Sequence, residues 1–234
     1  MEKVICCAHR GAMAYAPENT MKAFRLAADM GADMIELDVH LTRDGAAVVN
    51  HDPEFSRAGP AGGKIKNMTL GEVRAVRIQG EPVPTLEEAL LLCKERGMEI
   101  NIECKACEAA REIVRLVRET GMRERTLVSS FSTRALAACK QLDPEISVGY
   151  LTLPLLHPAA FGPARRLRCA SINPNLTGLT RRFVAAAHKR GIKVIPWTVN
   201  DARNMRRLIA AGADGIITNK PDLLNKIKKE MNVE

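Results

Sequence analysis

The feature that most constrains the fold of this chain is a regular alternation of short apolar, β-branched runs with longer amphipathic stretches. Such alternation is typical of βαβ units in a parallel sheet. The runs predict eight strands, at residues 4–8, 34–38, 99–103, 126–130, 147–151, 170–173, 193–197 and 215–217. Helical patterns follow them, at residues 20–30, 86–96, 106–120, 132–142, 158–166, 180–190, 201–211 and 221–230. We therefore expect an α/β fold, a TIM (β/α)8 barrel, that uses residues 1–234 as one domain.

One segment interrupts the alternation between the second strand and the second helix. Thr42-Arg-Asp-Gly45 predicts a turn, and residues 46–50 predict a strand that returns antiparallel to the second strand. Residues 52–84 are then rich in glycine and proline around a short predicted helix at 68–76. This insertion is too small for an independent core, so we expect it to cap the barrel mouth.

Composition restricts the possible partners. The chain has 35 Lys and Arg against 27 Asp and Glu, a net charge of +8, but only 3% of its residues are aromatic. Because base stacking needs aromatic rings, we expect no nucleic-acid partner, and an anionic small substrate explains the charge more simply. No apolar run reaches the ~20 residues that cross a bilayer, and residues 1–8 are too short for a signal peptide. Together with seven dispersed cysteines, these features predict a cytoplasmic protein without stable membrane association.

Acidic side chains alternate along two of the predicted strands. Glu36 and Asp38 share the face opposite to the apolar residues of their strand, and Glu103 takes the same position on the next one. If both strands end at the barrel mouth, the three carboxylates converge there. Such a cluster suits a hard cation, Mg²⁺ or Ca²⁺. The alternative is a network of salt bridges with the many arginines.

Two histidines are placed to act beside this cluster. His9 ends the first strand, where a barrel carries its chemistry. If Leu41 pairs with Ala46 in the returning strand, His51 falls beside Glu36. One neutral and one protonated imidazole would suit cleavage of a phosphodiester, since one ring removes a proton from the nucleophile and the other protonates the leaving alkoxide. His40 is expected at the rim.

The motifs together resemble one family. The chain resembles the glycerophosphodiester phosphodiesterases, within the phosphatidylinositol-phospholipase-C-like barrels. The resemblance lies in Ala8-His-Arg-Gly11, Pro17-Glu-Asn-Thr20, Gly31-Ala-Asp-Met-Ile-Glu-Leu-Asp38, Thr42-Arg-Asp-Gly45, His51-Asp52, Val83-Pro-Thr-Leu-Glu-Glu-Ala89, Ile102-Glu-Cys-Lys105, Ser129-Ser-Phe131, Trp197-Thr-Val-Asn200 and Gly212-Ala-Asp-Gly-Ile-Ile-Thr218. The family has a TIM barrel with a small insertion after the second strand, which agrees with the interrupted segment.

The resemblance implies a role for each candidate residue. His9 and His51 would be the acid–base pair, and Glu36, Asp38 and Glu103 would bind a divalent cation, Mg²⁺ or Ca²⁺. The site would also contact the substrate through four side chains, those of Arg10 and Lys105 at the phosphate and those of Phe131 and Trp197 near the glycerol. For the two aromatic residues, packing in the barrel core is the alternative.

Three further residues are interpreted as structural. Glu18 and Asn19 are expected to brace the loop after the first strand and to cap the first helix, since Asn is a good cap residue. Asn219 stands where many relatives of the family have Asp. We expect it to be remote from the metal, so this departure does not undermine the chemistry.

The implied activity is hydrolysis of a small-molecule glycerophosphodiester to glycerol 3-phosphate and an alcohol. Either the neighbouring glycerol hydroxyl or water could attack phosphorus, and both routes would use the same residues. Two alternatives remain on the same barrel. One is a lysophospholipase D-like phosphodiesterase, and the other is a non-catalytic barrel that binds anions. We expect a monomer or a homodimer.

Overall fold

A computed structural model describes residues 3–55, 63–153 and 158–233. Its strands are Ile5–His9 (β1), Met34–Leu41 (β2), Ala47–Val49 (β3), Arg77–Ile78 (β4), Glu81–Pro82 (β5), Glu99–Cys104 (β6), Thr126–Ser130 (β7), Ser147–Thr152 (β8), Ser171–Pro174 (β9), Lys193–Val194 (β10) and Gly215–Thr218 (β11). Its α-helices are Met21–Asp29 (α1), Leu70–Ala75 (α2), Leu86–Arg96 (α3), Ala110–Glu119 (α4), Thr133–Leu142 (α5), Phe161–Arg166 (α6), Arg181–His188 (α7), Ala202–Ala210 (α8) and Pro221–Met231 (α9). Short 3₁₀ turns lie at Ile65–Asn67, Cys107–Ala109, Arg123–Arg125 and Pro158–Ala160.

Side-chain caps explain where several helices begin. The Thr85 hydroxyl accepts a hydrogen bond from the Glu88 backbone NH, and the Glu88 side chain accepts one from the Thr85 NH. This reciprocal pair satisfies two backbone donors that the first turn leaves free. At the other end of α3, Gly97 adopts a left-handed conformation that closes the helix. The predicted helix at 86–96 therefore has its predicted bounds.

The eight parallel strands form one sheet that curves into a barrel. Their order is β10-β9-β8-β7-β6-β2-β1-β11, and β3 pairs with β2 outside this path. Between the two end strands, the Val194 carbonyl accepts from the Asp214 NH at 3.0 Å and the Pro196 carbonyl accepts from the Ile217 NH at 2.9 Å. These bonds bring the ends of the sheet together, and the predicted α/β barrel is confirmed.

Alternation along β2 separates two environments. Ile35, Leu37 and Val39 are fully buried in the large apolar cluster that the strands share with the surrounding helices. Glu36 and Asp38 point to the opposite face, inside the barrel, and are also buried. Because the inner face is closed to water on this strand, its two carboxylates depend on the groups around them for compensation.

The seventh predicted strand is shorter in the structure, and Trp197 lies beyond its end. A strand was expected at 193–197, but β10 ends at Val194. Pro196 lacks a backbone NH and cannot continue a regular ladder. The backbone nevertheless stays close to β9, since the Trp197 NH donates to the Pro174 carbonyl at 3.0 Å.

The expected register of the returning strand is wrong by one residue. Leu41 pairs with Ala47 and Val39 pairs with Val49, whereas pairing of Leu41 with Ala46 was expected. The reason is the turn: the Thr42 NH donates to the Ala46 carbonyl at 2.9 Å, so Thr42 and Ala46 close a three-residue loop. The chain leaves β3 after Val49, and His51 is not a strand partner of Glu36.

The insertion packs onto the returning strand through a small apolar cluster. Val48 of β3 lies in this cluster with Phe55, Ile65, Val73 and two further buried valines, which are Val76 and Val83. The predicted helix at 68–76 is the shorter α2, which begins after the capping residue Thr69. Residues 56–62 of the predicted insertion lie outside the described residues.

A buried ion pair ties the first strand to the last helix at the amino end of the barrel. Asp33 accepts from the Lys228 ammonium group at 2.8 Å and from the Cys6 backbone NH at 2.8 Å, and its other oxygen lies 2.8 Å from the Lys3 Nζ. Partial burial alone would raise the pKa of Asp33, but the two ammonium groups outweigh it and hold that pKa below the ordinary value.

In the described part of the chain, no helix is both long and apolar enough to cross a membrane.

We predict that Asp33→Asn lowers the free energy of unfolding by about 2–4 kcal/mol at neutral pH, because it leaves the buried Lys228 ammonium without its counter-ion. Since the pKa of Asp33 is lowered from 3.8, this stabilisation is complete above that pH and is lost as the pH falls below it. Denaturant unfolding at several pH values measures both effects.

Asp29→Asn is the matched control, because Asp29 meets Arg96 at the surface with a distance of 3.2 Å. Removing that exposed pair is expected to cost less than about 1 kcal/mol. Equal losses in the two variants would contradict a structural role for the Asp33 pair.

Candidate active site

The carboxyl ends of β1, β2 and β6 open into a cavity of about 290 Å³. The cavity is lined by a mixture of charged, polar and aromatic residues, which are His9, Arg10, Glu36, His51, Asn101, Glu103, Lys105, Ser129, Phe131, Leu151, Trp197, Thr198 and Ile217. Eight of the nine residues predicted from the sequence line it. The ninth, Asp38, is buried just behind the lining residues.

The strand register brings the three acidic residues together. Glu36 pairs with Asn101 and Asp38 pairs with Glu103 across β2 and β6, while His9 of β1 pairs with Glu36 on the other side. One oxygen from each carboxylate lies within 4.8 Å of the others. The convergence predicted from two alternating strands is therefore present.

Two cations compensate one side of this cluster. The Lys105 Nζ lies 2.7 Å from Asp38 Oδ1 and 2.9 Å from Glu103 Oε1, and the Arg10 Nε lies 3.3 Å from Asp38 Oδ2. Burial alone would raise the pKa of Asp38, but Lys105 and Arg10 reverse the effect and lower it. Asp38 is thus held as a carboxylate.

Glu36 lacks comparable compensation. Burial raises its pKa well above the ordinary value, and the neighbouring charges of Asp38 and Glu103 raise it further. Burial also raises the pKa of Glu103, despite its contact with Lys105. Within the described residues, no Lys or Arg side chain forms a salt bridge with Glu36. The cluster therefore carries more negative charge than the adjacent side chains neutralise.

Unpartnered oxygen atoms extend the same cluster. Asn101 Oδ1 and Ser129 Oγ are buried and have no hydrogen-bond partner among the described residues, and both residues line the cavity. Buried polar atoms are rarely left without a partner unless water or an ion supplies one. Carboxylate, amide and hydroxyl oxygens are the donors that Mg²⁺ and Ca²⁺ prefer. The residues present therefore fit a hard divalent cation.

The loop after β1 presents a backbone donor to the cluster. Arg10 has a φ of 51° and donates its NH to Glu36 Oε2 at 3.1 Å. Gly11 follows with a φ of 78°, and a Cβ at this position would lie 2.7 Å from the Ala23 carbonyl carbon. Only glycine fits this close approach of the loop to α1. Glu18 holds the Arg10 guanidinium through two bonds of 3.0 and 3.1 Å, as the bracing role predicted.

The expected capping role of Asn19 is wrong. The N-cap of α1 is Thr20, whose hydroxyl accepts from the Ala23 NH. Asn19 instead has a φ of 55° and donates from Nδ2 to Asp38 Oδ2 at 2.9 Å. Because Thr20 is the better placed hydroxyl, the amide one residue earlier is free to orient a carboxylate of the cluster.

The His9 side chain is only 16% exposed and is held in one orientation. Its Nδ1 lies 2.8 Å from Asn219 Oδ1, and its Nε2 lies 3.9 Å from Glu36 Oε2. Since an amide oxygen only accepts, Nδ1 carries the hydrogen, and a neutral ring leaves the lone pair on Nε2. Burial, with a further effect from Arg10, lowers the pKa of His9 to about 4.

The structure gives Asn219 a contact in the site that the sequence did not indicate. Asn219 follows β11, the strand next to β1, and it contacts His9 directly. Asn200 Oδ1 accepts from the Asn219 NH at 2.8 Å and fixes this contact. The expectation concerned the distance of Asn219 from the metal ligands, whereas the partner of Asn219 is the imidazole ring of His9.

His51 lies in a more open position. Its side chain is 39% exposed, and its Nδ1 lies 2.8 Å from Asp52 Oδ1. The His40 Nε2 lies 3.1 Å from the His51 carbonyl oxygen, so His40 supports the backbone of His51 rather than the cavity. His51 reaches the cavity through this bend after β3, although the register that suggested its position was wrong.

The two aromatic residues form one wall of the cavity. Phe131 and Trp197 meet edge to face, with ring centroids 5.6 Å apart. The indole NH of Trp197 donates to the Asn173 carbonyl at 2.8 Å, which fixes the ring. Phe131 is 43% exposed. An exposed ring is not core packing, so the geometry places Phe131 at the cavity mouth.

Comparison with known sequences agrees with the resemblance. The family model described as the glycerophosphoryl diester phosphodiesterase family matches residues 9–223. A glycerophosphodiester phosphodiesterase of Caldanaerobacter subterraneus subsp. tengcongensis is 35% identical, with 97% of this chain and 99% of that protein covered. One of Bacillus altitudinis is 34% identical, with 96% and 98% covered.

Solved structures share the architecture. A phosphodiesterase of Oleispira antarctica, in complex with the product sn-glycerol-3-phosphate, matches with a TM-score of 0.90 and 29% identity, and the match covers 98% of this chain and 97% of that one. A glycerophosphodiester phosphodiesterase of Thermotoga maritima matches with a TM-score of 0.83 and 28% identity, and the match covers 97% and 100%.

We predict that Glu36→Gln raises the free energy of unfolding of the metal-free protein by about 0.5–2 kcal/mol at neutral pH, the usual range of single stabilising substitutions. The raised pKa means that folding disfavours the charged form of Glu36. The wild type therefore gains stability as the pH falls, and the advantage of the variant shrinks. Denaturant unfolding in the presence of a chelator measures the difference.

The control is Glu108→Gln, because Glu108 is exposed and its neutralisation removes the same charge elsewhere. It is expected to change stability by less than about 0.5 kcal/mol. A Glu36→Gln variant less stable than the wild type at neutral pH would contradict the analysis of charge in the cluster.

Proposed function

The chain belongs to the glycerophosphoryl diester phosphodiesterase family and is a glycerophosphodiester phosphodiesterase, and from this premise we propose how its own residues act. A divalent cation binds to Glu36, Asp38 and Glu103, and His9 and His51 serve as base and acid. The products are glycerol 3-phosphate and an alcohol. One observation carries the proposal: both imidazoles reach the same 290 Å³ cavity as the acidic cluster.

The cation would be Mg²⁺ or Ca²⁺. Three carboxylates supply its protein ligands, and the unpartnered Asn101 Oδ1 lies beside Glu36 as a further oxygen donor. When bound, a divalent ion polarises phosphoryl oxygens and stabilises the charge that develops on them. It would also relieve the repulsion that raises the pKa of Glu36.

His9 is proposed as the general base. Its hydrogen bond to Asn219 holds the hydrogen on Nδ1 and leaves Nε2 free toward the cavity. Burial disfavours the charged ring, so the neutral form that a base requires is present at physiological pH. The proton that His9 removes comes from the attacking group, either the neighbouring glycerol hydroxyl or water.

His51 is proposed as the general acid. It is more exposed than His9, and the Asp52 carboxylate accepts from its Nδ1. This contact orients the ring and leaves Nε2 as the atom that can face the leaving group. The proton would pass to the departing alkoxide, which is otherwise a poor leaving group.

Arg10 and Lys105 are proposed to bind the phosphate. Both line the cavity, and both are held in place by carboxylates that leave part of their donor capacity free. Fixed cations stabilise negative charge on phosphoryl oxygens without reorganising during the reaction. Phe131 and Trp197 would contact the glycerol at the mouth.

The size of the cavity favours a small substrate. At about 290 Å³ it lies near the lower limit of typical ligand pockets, which is ~300 Å³. A cavity of this size suits a glycerophosphodiester, whose phosphate would meet the cationic and polar side chains of its lining. We therefore propose small glycerophosphodiesters, rather than lysophospholipids, as the substrates.

The reducing cytoplasm is the proposed site of action. All seven cysteines are free, and six of them are buried. Burial raises the pKa of Cys6 and of Cys93 to about 12, so these thiols stay protonated and unreactive.

A product assay tests the substrate class. Glycerophosphocholine, glycerophosphoethanolamine and lysophosphatidylcholine are each incubated with the protein, and glycerol 3-phosphate and lysophosphatidic acid are measured. Release of glycerol 3-phosphate from the first two compounds supports the proposal. Cleavage of the lysolipid alone would overturn it.

We predict that a chelator abolishes hydrolysis of glycerophosphocholine and that Mg²⁺ or Ca²⁺ restores it, because the acidic cluster cannot hold phosphate without a compensating cation. The restoring ion should also raise the midpoint of thermal unfolding by a few degrees, since it binds only the folded protein. Glu103→Gln should lose both responses, and the exposed control Glu108→Gln should keep both. Full activity in chelator would contradict the metal requirement.

We predict different substrate dependence for the two histidine variants. His51→Ala should lose roughly 10²–10⁴-fold in turnover of glycerophosphocholine, but much less with a p-nitrophenyl ester of glycerol phosphate, whose leaving group needs no proton. His9→Gln should lose similar factors on both substrates, because the attacking group is the same.

The control is His188→Ala, since His188 pairs with Asp214 at the far end of the barrel. It should retain turnover on both substrates, and thermal unfolding should show that all three variants fold. Equal losses of His51→Ala on the two substrates would remove His51 from the role of acid.

A further inference from the structure

The charge of this chain is concentrated in one continuous stretch. Residues 146–200 contain eight Lys and Arg and no Asp or Glu. The remaining residues contain 27 basic and 27 acidic side chains, so they carry no net charge. The whole formal charge of +8 therefore lies within these 55 residues. Of the nine predicted site residues, they contain only Trp197.

All eight of these cations are exposed. They are Arg165, Arg166, Arg168, Arg181, Arg182, Lys189, Arg190 and Lys193. In the part of the chain that the structure describes, none of them forms a salt bridge with a carboxylate, whereas Arg10, Arg74 and Arg118 do. Cations at the ends of helices are favourable for the helix dipole, but this does not explain why compensating acids are missing.

The stretch forms one continuous sector of the barrel wall. It contains α6, α7 and the strands β8, β9 and β10, which are adjacent in the sheet. Phe161 of α6 stacks on Phe183 of α7 with centroids 5.0 Å apart, and the Arg190 guanidinium lies 4.7 Å above the Phe161 ring. The two helices and their following turns are therefore packed into a single surface.

Three of the arginines surround one cleft on this surface. Arg165, Arg168 and Arg190 line a space of about 540 Å³ between the turns that follow α6 and α7. Arg166, Lys189 and Lys193 are their neighbours along the chain. We call these six residues the basic face.

We propose that the basic face docks the protein on the headgroups of an anionic phospholipid bilayer. Arginine guanidinium groups bind phosphate through paired hydrogen bonds, and clustered basic residues are attracted by the negative potential of anionic lipids. The contact is peripheral and electrostatic. It requires no apolar insertion and forms and dissociates with ionic strength.

The same surface is less suited to a nucleic acid. Sequence-tolerant binding of single strands depends on aromatic rings that stack on bases. The aromatic rings on the two helices of the sector, Phe161 of α6 and Phe183 of α7, stack on each other and are only partly exposed.

The position of the basic face keeps the cavity open to water. Arg168 precedes β9 and Arg190 precedes β10, so the basic face lies at the amino ends of the strands. The acidic cluster lies at the carboxyl ends. Docking would hold the enzyme at the surface with its mouth directed away from the bilayer. Glycerophosphodiesters are the headgroups that deacylation of phospholipids releases, so this orientation suits a water-borne product of that reaction class.

Vesicle cosedimentation tests the proposal on the full chain. The probes are phosphatidylcholine vesicles with and without phosphatidylglycerol, at low and at physiological salt. We expect binding to the anionic vesicles only, and we expect salt to weaken it. The variant Arg165→Gln/Arg168→Gln/Arg190→Gln should bind at least about tenfold more weakly, while its hydrolysis of dissolved glycerophosphocholine stays unchanged.

The control removes the same charge from exposed residues of other helices. It is Arg111→Gln/Arg203→Gln/Lys229→Gln, with one substitution each on α4, α8 and α9. This variant should bind vesicles as the wild type does. If loss of the Arg190–Phe161 contact impairs folding of the first variant, Arg166→Gln/Lys189→Gln/Lys193→Gln tests the same surface.

Two results would overturn the proposal. Equal weakening by the basic-face variant and the control would show that net charge alone matters. Binding of single-stranded RNA that the basic-face variant abolishes, without binding of the wild type to anionic vesicles, would assign the surface to a nucleic acid. Neither result depends on the hydrolytic activity, which is measured separately.

Discussion

The burial of three carboxylates on one inner face of the sheet is the constraint on which the rest of the site depends. Parallel register places Asp38 beside Glu103 and Glu36 beside Asn101, with no freedom for the acids to separate. Charged groups in such an environment are costly unless they are paired. The chain compensates Asp38 with Lys105 and Arg10, and it leaves Glu36 undercompensated. A folded chain that keeps this imbalance has a site prepared for a cation.

The loop after β1 and the end of β11 complete the same arrangement from the other side. Arg10 adopts a positive φ and donates its NH to Glu36, while Asn219 holds His9 through Nδ1. The second contact joins β1 to the end of β11, two strands from opposite ends of the sequence that pair side by side in the sheet. The orientation of the His9 ring therefore depends on this long-range pairing and not on local sequence.

These dependences explain how much the sequence could predict. Alternation along β2 and β6 is local, so the convergence of Glu36, Asp38 and Glu103 followed from period two and the parallel sheet. The helix at 86–96 followed from its cap residues. The register of β3 did not follow from the sequence. It depends on whether Thr42 or Leu41 pairs with Ala46, and both pairings bury apolar side chains.

The roles of Asn19 and Asn219 were beyond the same reasoning. A residue type that suits a helix cap also suits a buried hydrogen bond to a carboxylate, and the choice depends on the neighbouring Thr20. For Asn219, no local pattern indicates the partner, because His9 lies 210 positions away in the chain. Sequence patterns identify the charged groups of this site, but the amides that orient them need the three-dimensional structure.

The two ends of the barrel differ in how their charged side chains are compensated. At the carboxyl ends, Lys105 pairs with Asp38 and Glu103, whereas Glu36 forms no salt bridge with a Lys or Arg among the described residues. At the amino ends of β9 and β10, the exposed cations form no salt bridge among the described residues, although Lys193 interacts with Glu99 at longer range. Water and salt screen such exposed charges at little cost. The two ends of the barrel therefore suit ligands of opposite charge: the undercompensated Glu36 suits a cation, and the exposed cations suit a negatively charged surface. A barrel can carry both features because its two ends are joined by a rigid wall and share no side chains.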